Sequence, residues 1–472
     1  MKLSNAQHAA VDYFESPLLI EGRAGTGKST VLAEKIAQMV QRKLVTLNQI
    51  AHLTRTNFLD FCLTILRHSG KKIGLRAGFK VADRWDQIRI AIDLLWDQPA
   101  SSKQTPHDTL TSIARLKHNL VDEIRFGLEK QSVNYSESLA VAYSDYQHRL
   151  RSQNMIDVED APLLCVQLWQ QDPKLLAEYR DRYKAVVVDE YECLSQAQYM
   201  VCKILADKTR YFFIAGDSHQ NIYTTIHGNS DHLTHFDRDF PTLNTMVLNR
   251  SFGSAFPILE VANCIIHDKR KMHQQADDHG GESLIHYLAY DAEEEAGFIA
   301  SEIKNYPNQS IAVMYRTRTQ GHILKEYFQK RGVLSGNVHL MTLDQSKGTS
   351  FDIVFIAGVE EGLLPHFTAQ VDHDALEEER RLFYLGVTRA HQKLFFSSAY
   401  ERRIFGEKWN NDISRFLSDV PRPYIAGFAS ERLRSRSHGF LKHSEENGFH
   451  FEFWKSQQQL AHHLARKPRV SI

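Results

Sequence analysis

Short apolar segments alternate with helix-patterned segments in two stretches of the chain, and this alternation is typical of parallel α/β sheets. The apolar segments that predict strands lie at residues 17–22, 45–54, 183–190 and 210–217 in the first stretch, and at 310–316, 337–343, 351–359 and 392–399 in the second. A polar or glycine-containing turn follows each segment. Because ligands bind beyond the carboxyl ends of strands in open α/β sheets, these turns are where we expect a site.

A long helical segment interrupts the first stretch. Leu, Ile, Val and Ala recur at spacings of three and four residues through 84–98 and 109–124, which is the period of an amphipathic helix. We therefore predict a helical insertion over 61–179 in the first sheet domain. The segment from 421 onward begins with two prolines and a basic patch, and its role stays open.

Composition adds constraints but points to no particular activity. The 472 residues carry 57 Lys+Arg against 57 Asp+Glu, so the net charge gives no global attraction to nucleic acid. At about 100–200 residues per domain, the length predicts two to four domains. Five scattered cysteines without a C-x-x-C pair exclude a disulfide framework or zinc ribbon and favour a reducing cytosol. No apolar run approaches the roughly 18 residues of a membrane span, so we expect a cytoplasmic protein without membrane contact.

A phosphate-binding loop is the strongest local signal. Residues 22–29 read Gly-Arg-Ala-Gly-Thr-Gly-Lys-Ser and fit G-x-x-x-x-G-K-[ST] between an apolar strand and a helix. In such a loop backbone N–H groups surround phosphate oxygens, Lys28 neutralises the β- and γ-phosphates, and Ser29 binds Mg²⁺. The alternative, a chance glycine-rich turn, should occur in only about one chain in a hundred. The predicted nucleotide contacts are Gly22, Arg23, Ala24, Gly25, Thr26, Gly27, Lys28, Ser29 and Thr30.

Two carboxylates and a glutamine follow later predicted strands. Asp189 and Glu190 end the segment at 183–190, and Gln220 comes shortly after the segment at 210–217. Asp189 suits the Mg²⁺ shell, and Glu190 suits orienting or deprotonating an attacking water. Gln220 suits a sensor of the γ-phosphate. An isolated Asp-Glu pair is usually a solvated strand end, but the upstream phosphate loop favours a catalytic role here.

Eight segments in order resemble the motifs of the UvrD/Rep/PcrA group of superfamily 1 DNA helicases, from Leu3 to about Pro421. They are LSNAQHAAV (3–11), GRAGTGKST (22–30), VVVDEYE (186–192), GDSHQNIY (216–223), LNRSFGS (248–254), AVMYRT (312–317), MTLDQSKGTSFD (341–352) with VEEGLLPH (359–366), and LEEERRLFYLGVTRA (376–390). Any one of them alone resembles an ordinary charge run or strand end. Their shared order makes coincidence a poor explanation.

The resemblance implies hydrolysis of ATP, with Mg²⁺, between two RecA-like domains. It implies that Gln7 reads the adenine edge and that Gln220 occupies a coupling position. It further implies that Arg250 reaches the γ-phosphate and that Arg389 is the arginine finger. The base end departs from the family pattern, because Asn249 stands where the family has a stacking tyrosine.

The resemblance also places contacts with single-stranded or 3′-tailed DNA, at Thr54, Arg55, Asn57, Tyr223 and Thr342. This part departs furthest from the family. The family's phenylalanine is Arg55, and the aromatic residue of the third motif aligns with Thr225, which cannot stack on a base. Arg55 retains the ability to stack or to pair with phosphate.

The same resemblance predicts the domain organisation. The expected parts are a first RecA-like domain at 1–60 and 180–245, a reduced 1B-like insertion at 61–179, a second RecA-like domain at 246–420, and a tail at 421–472. Only 23 residues separate Thr317 from Met341, where the family carries its 2B subdomain. Because a domain needs about 50 residues, 2B is expected to be absent.

The leading hypothesis is an ATP-dependent helicase or translocase that moves 3′ to 5′ on single-stranded DNA. A second is a DNA-binding NTPase regulatory subunit that works with a separate partner, such as a nuclease in DNA repair or phage defence, contacted through the tail at 421–472. A third is a degenerate ATP-binding protein. Retention of Glu190, Arg250 and Arg389 argues against that third hypothesis.

Overall fold

The structure, a computed structural model, describes residues 3–96, 105–129, 137–227, 236–266, 275–276, 284–404 and 407–436. Its contacts divide the chain into two compact units, one formed by Met1–Arg23 with Gly27–Leu248 and the other by Ala24–Thr26 with Asn249–Ile472. Each unit contains a parallel sheet flanked by helices, so the predicted α/β fold is confirmed. None of the described helices combines the length and apolar character needed to span a bilayer.

The first unit is built around a five-stranded parallel sheet. The strands of this unit are β1 (Leu18–Gly22), β2 (Ile50–Leu53), β3 (Lys80–Val81), β4 (Met155–Ile156), β5 (Ala185–Asp189), β6 (Tyr211–Gly216) and β7 (Asn244–Leu248), of which β3 and β4 pair only with each other. The sheet runs in the order β2, β5, β6, β1, β7. The sequence predicts four of these five strands, and it misses β7 because that edge strand is half-exposed and lacks an apolar run.

Helices cover both faces of this sheet. The helices of the first unit are α1 (Asn5–Asp12), α2 (Lys28–Gln41), α3 (Phe58–Ser69), α4 (Arg84–Trp96), α5 (Pro106–His118), α6 (Glu123–Glu129), α7 (Glu137–Ser152), α8 (Asp160–Gln171), α9 (Pro173–Arg182), α10 (Gln196–Ala206), α11 (Thr224–His227) and α12 (Phe236–Asp239). Along β5, Ala185 and Val187 join one core with α1 and α2. Val186 and Val188 join the opposite core with α3, α8 and α10. Burial on both faces explains the unbroken apolar run of this strand.

Only the middle of the predicted insertion has a core of its own. Helices α4, α5, α6 and α7 pack around buried residues that include Ile113, Tyr143 and Leu150. Helices α3, α8 and α9, at or near the ends of the same stretch, pack with the sheet. Helical periodicity shows that a face is apolar but not which core it joins, so the sequence could not separate these two groups.

The second unit is built around a six-stranded parallel sheet. The strands of this unit are β8 (Arg250–Ser251), β9 (Gln275–Ala276), β10 (Leu284–Asp291), β11 (Ile311–Tyr315), β12 (Val338–Thr342), β13 (Phe351–Ala357), β14 (Ala390–Ile404), β15 (Glu407–Asn410) and β16 (Ile425–Ala429), of which β8 and β9 pair only with each other. Its helices are α13 (Phe256–Ile265), α14 (Ala292–Ile303), α15 (Arg318–Arg331), α16 (His373–Val387), α17 (Arg415–Ser418) and α18 (Glu431–Arg436). The sheet order is β12, β11, β13, β14, β10, β16, with β15 antiparallel to β14. Helices α14 and α15 cover one face, over Val313 and Phe355.

Two regions of this unit bear on the predicted domain boundaries. Helix α15 and most of β12 occupy the chain between Thr317 and Met341. Strand β16 lies beyond the predicted boundary at 420 and pairs with β10. The sheet therefore continues into the segment predicted as a tail. The sequence does not reveal this, because a short edge strand is recognised mainly by its pairing with a neighbouring strand. The remainder of that tail, 437–472, lies outside the described residues.

Candidate active site

The parallel sheet of the first unit brings four predicted site segments to one edge. The phosphate loop follows β1, and the turn Thr54–Asn57 follows β2. Asp189 is the last residue of β5 and Glu190 comes next, whereas Asp217–Gln220 follows β6. These four strands are parallel neighbours, so their carboxyl ends lie at the same side of the sheet. This edge is where ligands bind in sheets of this class.

The phosphate loop has the backbone conformation that an anion requires. Gly25 and Gly27 have positive φ values of 75° and 78°. Gly27 caps α2 without a side-chain hydrogen bond, so no side chain caps the first N–H groups of that helix. Amides of this kind, together with the helix dipole, favour a bound phosphate. The loop therefore fits the nucleotide that the sequence predicts.

Lys28 begins α2 and turns back over the loop. Its Nζ donates hydrogen bonds to the carbonyl oxygens of Gly22, at 2.7 Å, and Arg23, at 2.9 Å. The ammonium is thus held within the curve of the loop, where phosphate oxygens would meet it. The next residue, Ser29, is exposed, and Thr30 is partly buried.

Gln7 lies directly against the phosphate loop. A Cβ atom added to Gly27 would lie 2.5 Å from Gln7 Nε2, so only glycine fits at that position without displacing Gln7. The Gln7 Oε1 atom accepts a hydrogen bond from the backbone N–H of Ser4 at 2.8 Å, within the capping box of α1. The structure therefore brings Gln7 and the loop together.

Lys35 anchors the helix that carries Gln7 to the helix that follows the loop. This buried lysine of α2 donates to the carbonyl oxygens of Ala10, at 2.9 Å, and Tyr13, beyond the end of α1. Burial lowers the pKa of its ammonium to about 7. The sequence alone assigns Lys35 no role, because a lysine on an amphipathic helix normally faces solvent.

The two carboxylates at the end of β5 have distinct surroundings. Asp189 Oδ1 accepts a hydrogen bond from the backbone N–H of Glu190 at 2.9 Å. Glu190 has a left-handed backbone, with φ 57° and ψ 47°, and its carbonyl accepts from the N–H of Cys193 at 2.9 Å. A left-handed non-glycine residue is strained, and such strain is concentrated at functional sites.

Glu192 connects the carboxylate segment to the segment that contains Gln220. Its Oε2 accepts a hydrogen bond from the backbone N–H of Asp217 at 3.1 Å, and Gln220 Nε2 donates to Asp217 Oδ2 at 2.8 Å. All three side chains are buried. The sequence alone assigns Glu192 no role in the site. Its burial beside Asp217 depends on the neighbouring strand β6, which local sequence does not report.

The predicted arginines belong to the second unit. Arg389 is 8% exposed and donates to the carbonyl oxygens of Leu385, at 3.1 Å, and Thr349, at 3.0 Å. Arg250 lies in β8, with its guanidinium carbon 5.2 Å from the centre of the Phe252 ring. Neither unit by itself contains all of the predicted catalytic residues.

A partly buried ion pair supports the helix that leads to Arg389. Arg316 Nη2 lies 2.6 Å from Glu379 Oε1, and its Nε donates to the same carboxylate at 2.9 Å. Burial disfavours the charged guanidinium, but the hydrogen bonds to Glu379 outweigh it and raise the pKa of Arg316. Glu379 also accepts a hydrogen bond from the backbone N–H of His366 at 3.1 Å. It therefore links the motif segments 359–366 and 376–390, which are separate in the sequence.

The residues predicted to contact DNA fall into three groups. Thr54 and Asn57 shape the turn after β2, where Asn57 Oδ1 accepts from the Thr54 N–H at 2.8 Å. Arg55, in the same turn, forms an ion pair with Glu190. Tyr223 stacks on His227 with ring centres 5.3 Å apart, whereas Thr342 ends β12 in the second unit. The side chain of Thr225 lies outside the described residues.

No group of three or more His, Cys, Asp or Glu residues that could hold a metal occurs among the residues described by the structure. Mg²⁺ accompanying a nucleotide needs only one or two carboxylates beside the phosphates and water. Asp189 supplies a carboxylate oxygen and Ser29 a hydroxyl oxygen, so the donor set fits the ion that the sequence predicts.

Comparison with known proteins places the chain in a family. The UvrD/REP helicase N-terminal domain matches residues 3–59 and 58–241, and the UvrD-like helicase C-terminal domain matches 246–335 and 329–401. The ATP-dependent DNA helicase PcrA of Staphylococcus aureus is 23% identical, over 92% of this chain and 88% of that protein. The PcrA of Leuconostoc citreum is 22% identical, over 89% of this chain and 84% of that protein.

Among solved structures, the C-terminal domain of a possible DNA helicase from Lactobacillus plantarum is 15% identical, with a TM-score of 0.29, and covers 38% of this chain and 98% of that chain. That likeness is too weak to support an inference. The two family models together extend over the segments that contain the phosphate loop, both carboxylates and both arginines, so the resemblance seen in the motif series is confirmed. The chain belongs to the UvrD-like helicase family.

Proposed function

We propose that this UvrD-like, ATP-dependent DNA helicase moves 3′ to 5′ along single-stranded DNA. The observation that carries the proposal is the common edge of the first sheet, where the phosphate loop, Asp189, Glu190 and Gln220 meet. The relatives named above are ATP-dependent DNA helicases, which supports DNA as the substrate. The 3′ to 5′ direction rests on the family resemblance of the motif series.

The proposed ATP site follows from the chemistry of the loop. Backbone amides from Gly22 to Thr30 surround the phosphates, Lys28 neutralises them, and Gln7 contacts the adenine edge. Ser29 and Asp189 would hold Mg²⁺, which would supply neutralisation of the phosphate charge. Glu190 orients the attacking water and Gln220 senses the γ-phosphate.

Arg250 and Arg389 belong to the second unit, and the family resemblance assigns both to ATP hydrolysis. Stabilisation of transition-state charge by an arginine of this kind is worth roughly 10³–10⁵ in rate. The carbonyl oxygens of Leu385 and Thr349 hold the Arg389 guanidinium in a defined orientation, which limits the entropy lost when it binds phosphate. This geometry supports its role as the arginine finger.

The proposed DNA path uses the turn after β2, Tyr223 and Thr342. Thr54 and Asn57 fix the shape of the turn, while Arg55 supplies a partly exposed positive charge. Tyr223 offers a ring, and a base stacked on an aromatic side chain contributes about 1–3 kcal/mol. Because the net charge is zero, we expect local contacts of this type to dominate binding.

We also propose the predicted division into two RecA-like domains with a reduced insertion and without 2B. Cytoplasmic location and a protein partner for the tail at 421–472 belong to the same proposal. The occupation of the chain between Thr317 and Met341 by α15 and β12 supports the absence of 2B.

Strand displacement tests the proposed direction. The purified chain, with ATP and Mg²⁺, should release a labelled strand from a duplex with a 3′ single-stranded tail and leave a 5′-tailed duplex intact. Lys28→Ala should release neither. Preference for the 5′ tail would contradict the direction. DNA-stimulated ATP hydrolysis without any displacement would favour a translocase or a subunit that depends on a partner.

A further inference from the structure

An ion pair joins the turn after β2 to the carboxylate that is proposed to activate water. The Nε atom of Arg55 lies 3.7 Å from Oε2 of Glu190, and the two side chains are 39% and 28% exposed. The sheet itself produces this pairing. Leu53 is in register with Val188 across β2 and β5, and Arg55 and Glu190 each lie two residues further along.

The turn places Arg55 by a defined set of contacts. Asn57 Oδ1 accepts from the backbone N–H of Thr54 at 2.8 Å, and Asn57 Nδ2 donates to the carbonyl oxygen of His52 at 2.9 Å. The backbone N–H of Phe58 donates to the carbonyl oxygen of Thr54 at 3.0 Å as α3 begins. Arg55 therefore extends from a turn whose backbone is held on both sides.

The backbone of Glu190 is also held. Its N–H donates to Asp189 Oδ1 at 2.9 Å, and its carbonyl accepts from the N–H of Cys193 at 2.9 Å. With the backbone constrained in a left-handed conformation, the Glu190 carboxylate changes direction mainly by rotation of its side chain. The guanidinium of Arg55 is therefore a direct influence on where that carboxylate points.

Pairing with a guanidinium restrains the direction of a carboxylate, and general-base catalysis requires the carboxylate to come within hydrogen-bond reach of the attacking water. Guanidinium groups bind phosphate oxygens through two parallel hydrogen bonds, which is stronger than a single contact at 3.7 Å. An ion pair between partly exposed groups is also weak enough to exchange.

We infer that Arg55 is a positioning residue that holds the Glu190 carboxylate in an unproductive direction. The carboxylate is released when the Arg55 guanidinium binds a phosphate of the nucleic acid strand instead. This ion pair makes binding of the nucleic acid strand a condition for rapid ATP hydrolysis. The inference rests on the proposed function, since it uses the role of Glu190 and the DNA path given there. It assigns a specific task to the arginine that replaces the family's phenylalanine.

ATP turnover by Arg55→Ala in the absence of DNA tests the inference. We expect up to about fivefold faster DNA-free turnover than wild type, the change that about 1 kcal/mol produces. Turnover at saturating single-stranded DNA should match wild type, so the stimulation ratio should fall. Arg55→Lys, which keeps the charge but loses the planar fork, should lie between the two. Arg89→Ala, which breaks an exposed ion pair with Asp86 on α4, is the matched control and should behave as wild type.

Four outcomes of these measurements bear on the inference and on the proposed function. DNA-free turnover of Arg55→Ala that is equal to or below wild type would overturn the inference. So would a variant in which only the DNA concentration for half-maximal stimulation changes, because Arg55 would then be a DNA contact alone. Failure of the proposed function is seen separately, as wild-type turnover that does not respond to DNA. Glu190→Gln in the Arg55→Ala background should abolish the added turnover, and its persistence would also count against the inference.

Discussion

Lys117, at the C-terminal end of α5, is a fully buried lysine, and its replacement by methionine removes the positive charge from a cluster of buried acidic side chains. Its Nζ lies 2.5 Å from Asp157 Oδ2, 2.8 Å from Asp160 Oδ1 and 2.8 Å from Gln147 Oε1. Burial opposes the lysine charge, but the two carboxylates outweigh burial and raise the pKa of Lys117. All three donor positions of the ammonium are thus used.

The expected magnitude follows from this burial. Methionine has nearly the volume of lysine, so the main effect of Lys117→Met is electrostatic. The side chains of Asp157 and Asp160 are 4% and 3% exposed, so the variant leaves two buried carboxylates without a counter-charge. Removal of one partner from a buried ion pair costs about 3–5 kcal/mol. Adding Asp157→Asn and Asp160→Asn to the same variant should restore most of that loss.

The cluster also bears on the proposed DNA path. His118 and Asn119 follow Lys117 directly, and both contact His227: the His118 and His227 ring centres are 4.6 Å apart, and Asn119 Nδ2 donates to the His227 carbonyl oxygen at 2.7 Å. Tyr223 in turn stacks on His227. A loosened α5 should therefore weaken DNA stimulation of ATP turnover more than it changes DNA-free turnover.

Hydrogen exchange is the appropriate assay, because a chain with two units need not unfold in a single step. Amides of α5 and α7 should lose about 3–5 kcal/mol of protection in Lys117→Met, while the sheet of the second unit keeps its protection. Lys71→Met, at an exposed lysine of the same unit, is the control. A loss below about 1 kcal/mol in Lys117→Met would refute the reasoning.

Two further predictions address the loop and the second unit. Gly27→Ala should weaken binding of a fluorescent ATP analogue about tenfold, because alanine at a φ of +78° is strained by about 1–2 kcal/mol and the new Cβ, 2.5 Å from Gln7 Nε2, would displace that side chain, whereas Gly336→Ala, with nothing within 4 Å, should bind normally; normal binding by Gly27→Ala would contradict the proposed loop. Burial lowers the pKa of His286 to about 3, so the unfolded chain takes up a proton below pH 6.5 while the folded chain does not. Stability of the second unit should therefore fall by about 2 kcal/mol between pH 7 and pH 5, measured by urea unfolding, and His286→Gln should lose correspondingly less; equal losses in both proteins would exclude this cause.

The strands that carry the site could be predicted because their signals are local. A strand buried on both faces, such as β5, is an unbroken apolar run, and the phosphate loop has fixed residue types at fixed spacing. Strand β7 was missed because this half-exposed edge strand begins with Asn and Thr. Strand β16 is apolar in sequence but has five residues with a glycine at its centre, which weakens its strand signal. Strand β10 was missed as well, since its alternation of buried and partly buried residues is interrupted by Ala289 and Tyr290.

Buried charged residues were the part of the structure that the sequence predicted least well. Arg402 lies 2.6 Å from Glu295 and 2.5 Å from Glu360, with all three side chains at most 6% exposed. These residues are far apart in the chain, and each taken alone resembles a solvated charge. The ion pair between Arg55 and Glu190 was hidden for a similar reason. Its residues are adjacent only because β2 and β5 are neighbours in the sheet.

The central claim is that binding of a DNA strand drives ATP hydrolysis at the edge of the first sheet. ATP turnover of the wild-type chain with and without single-stranded DNA tests this claim most directly. The account predicts slow turnover without DNA and much faster turnover with it, and no turnover in Lys28→Ala under either condition. Turnover that is the same with and without DNA would contradict it.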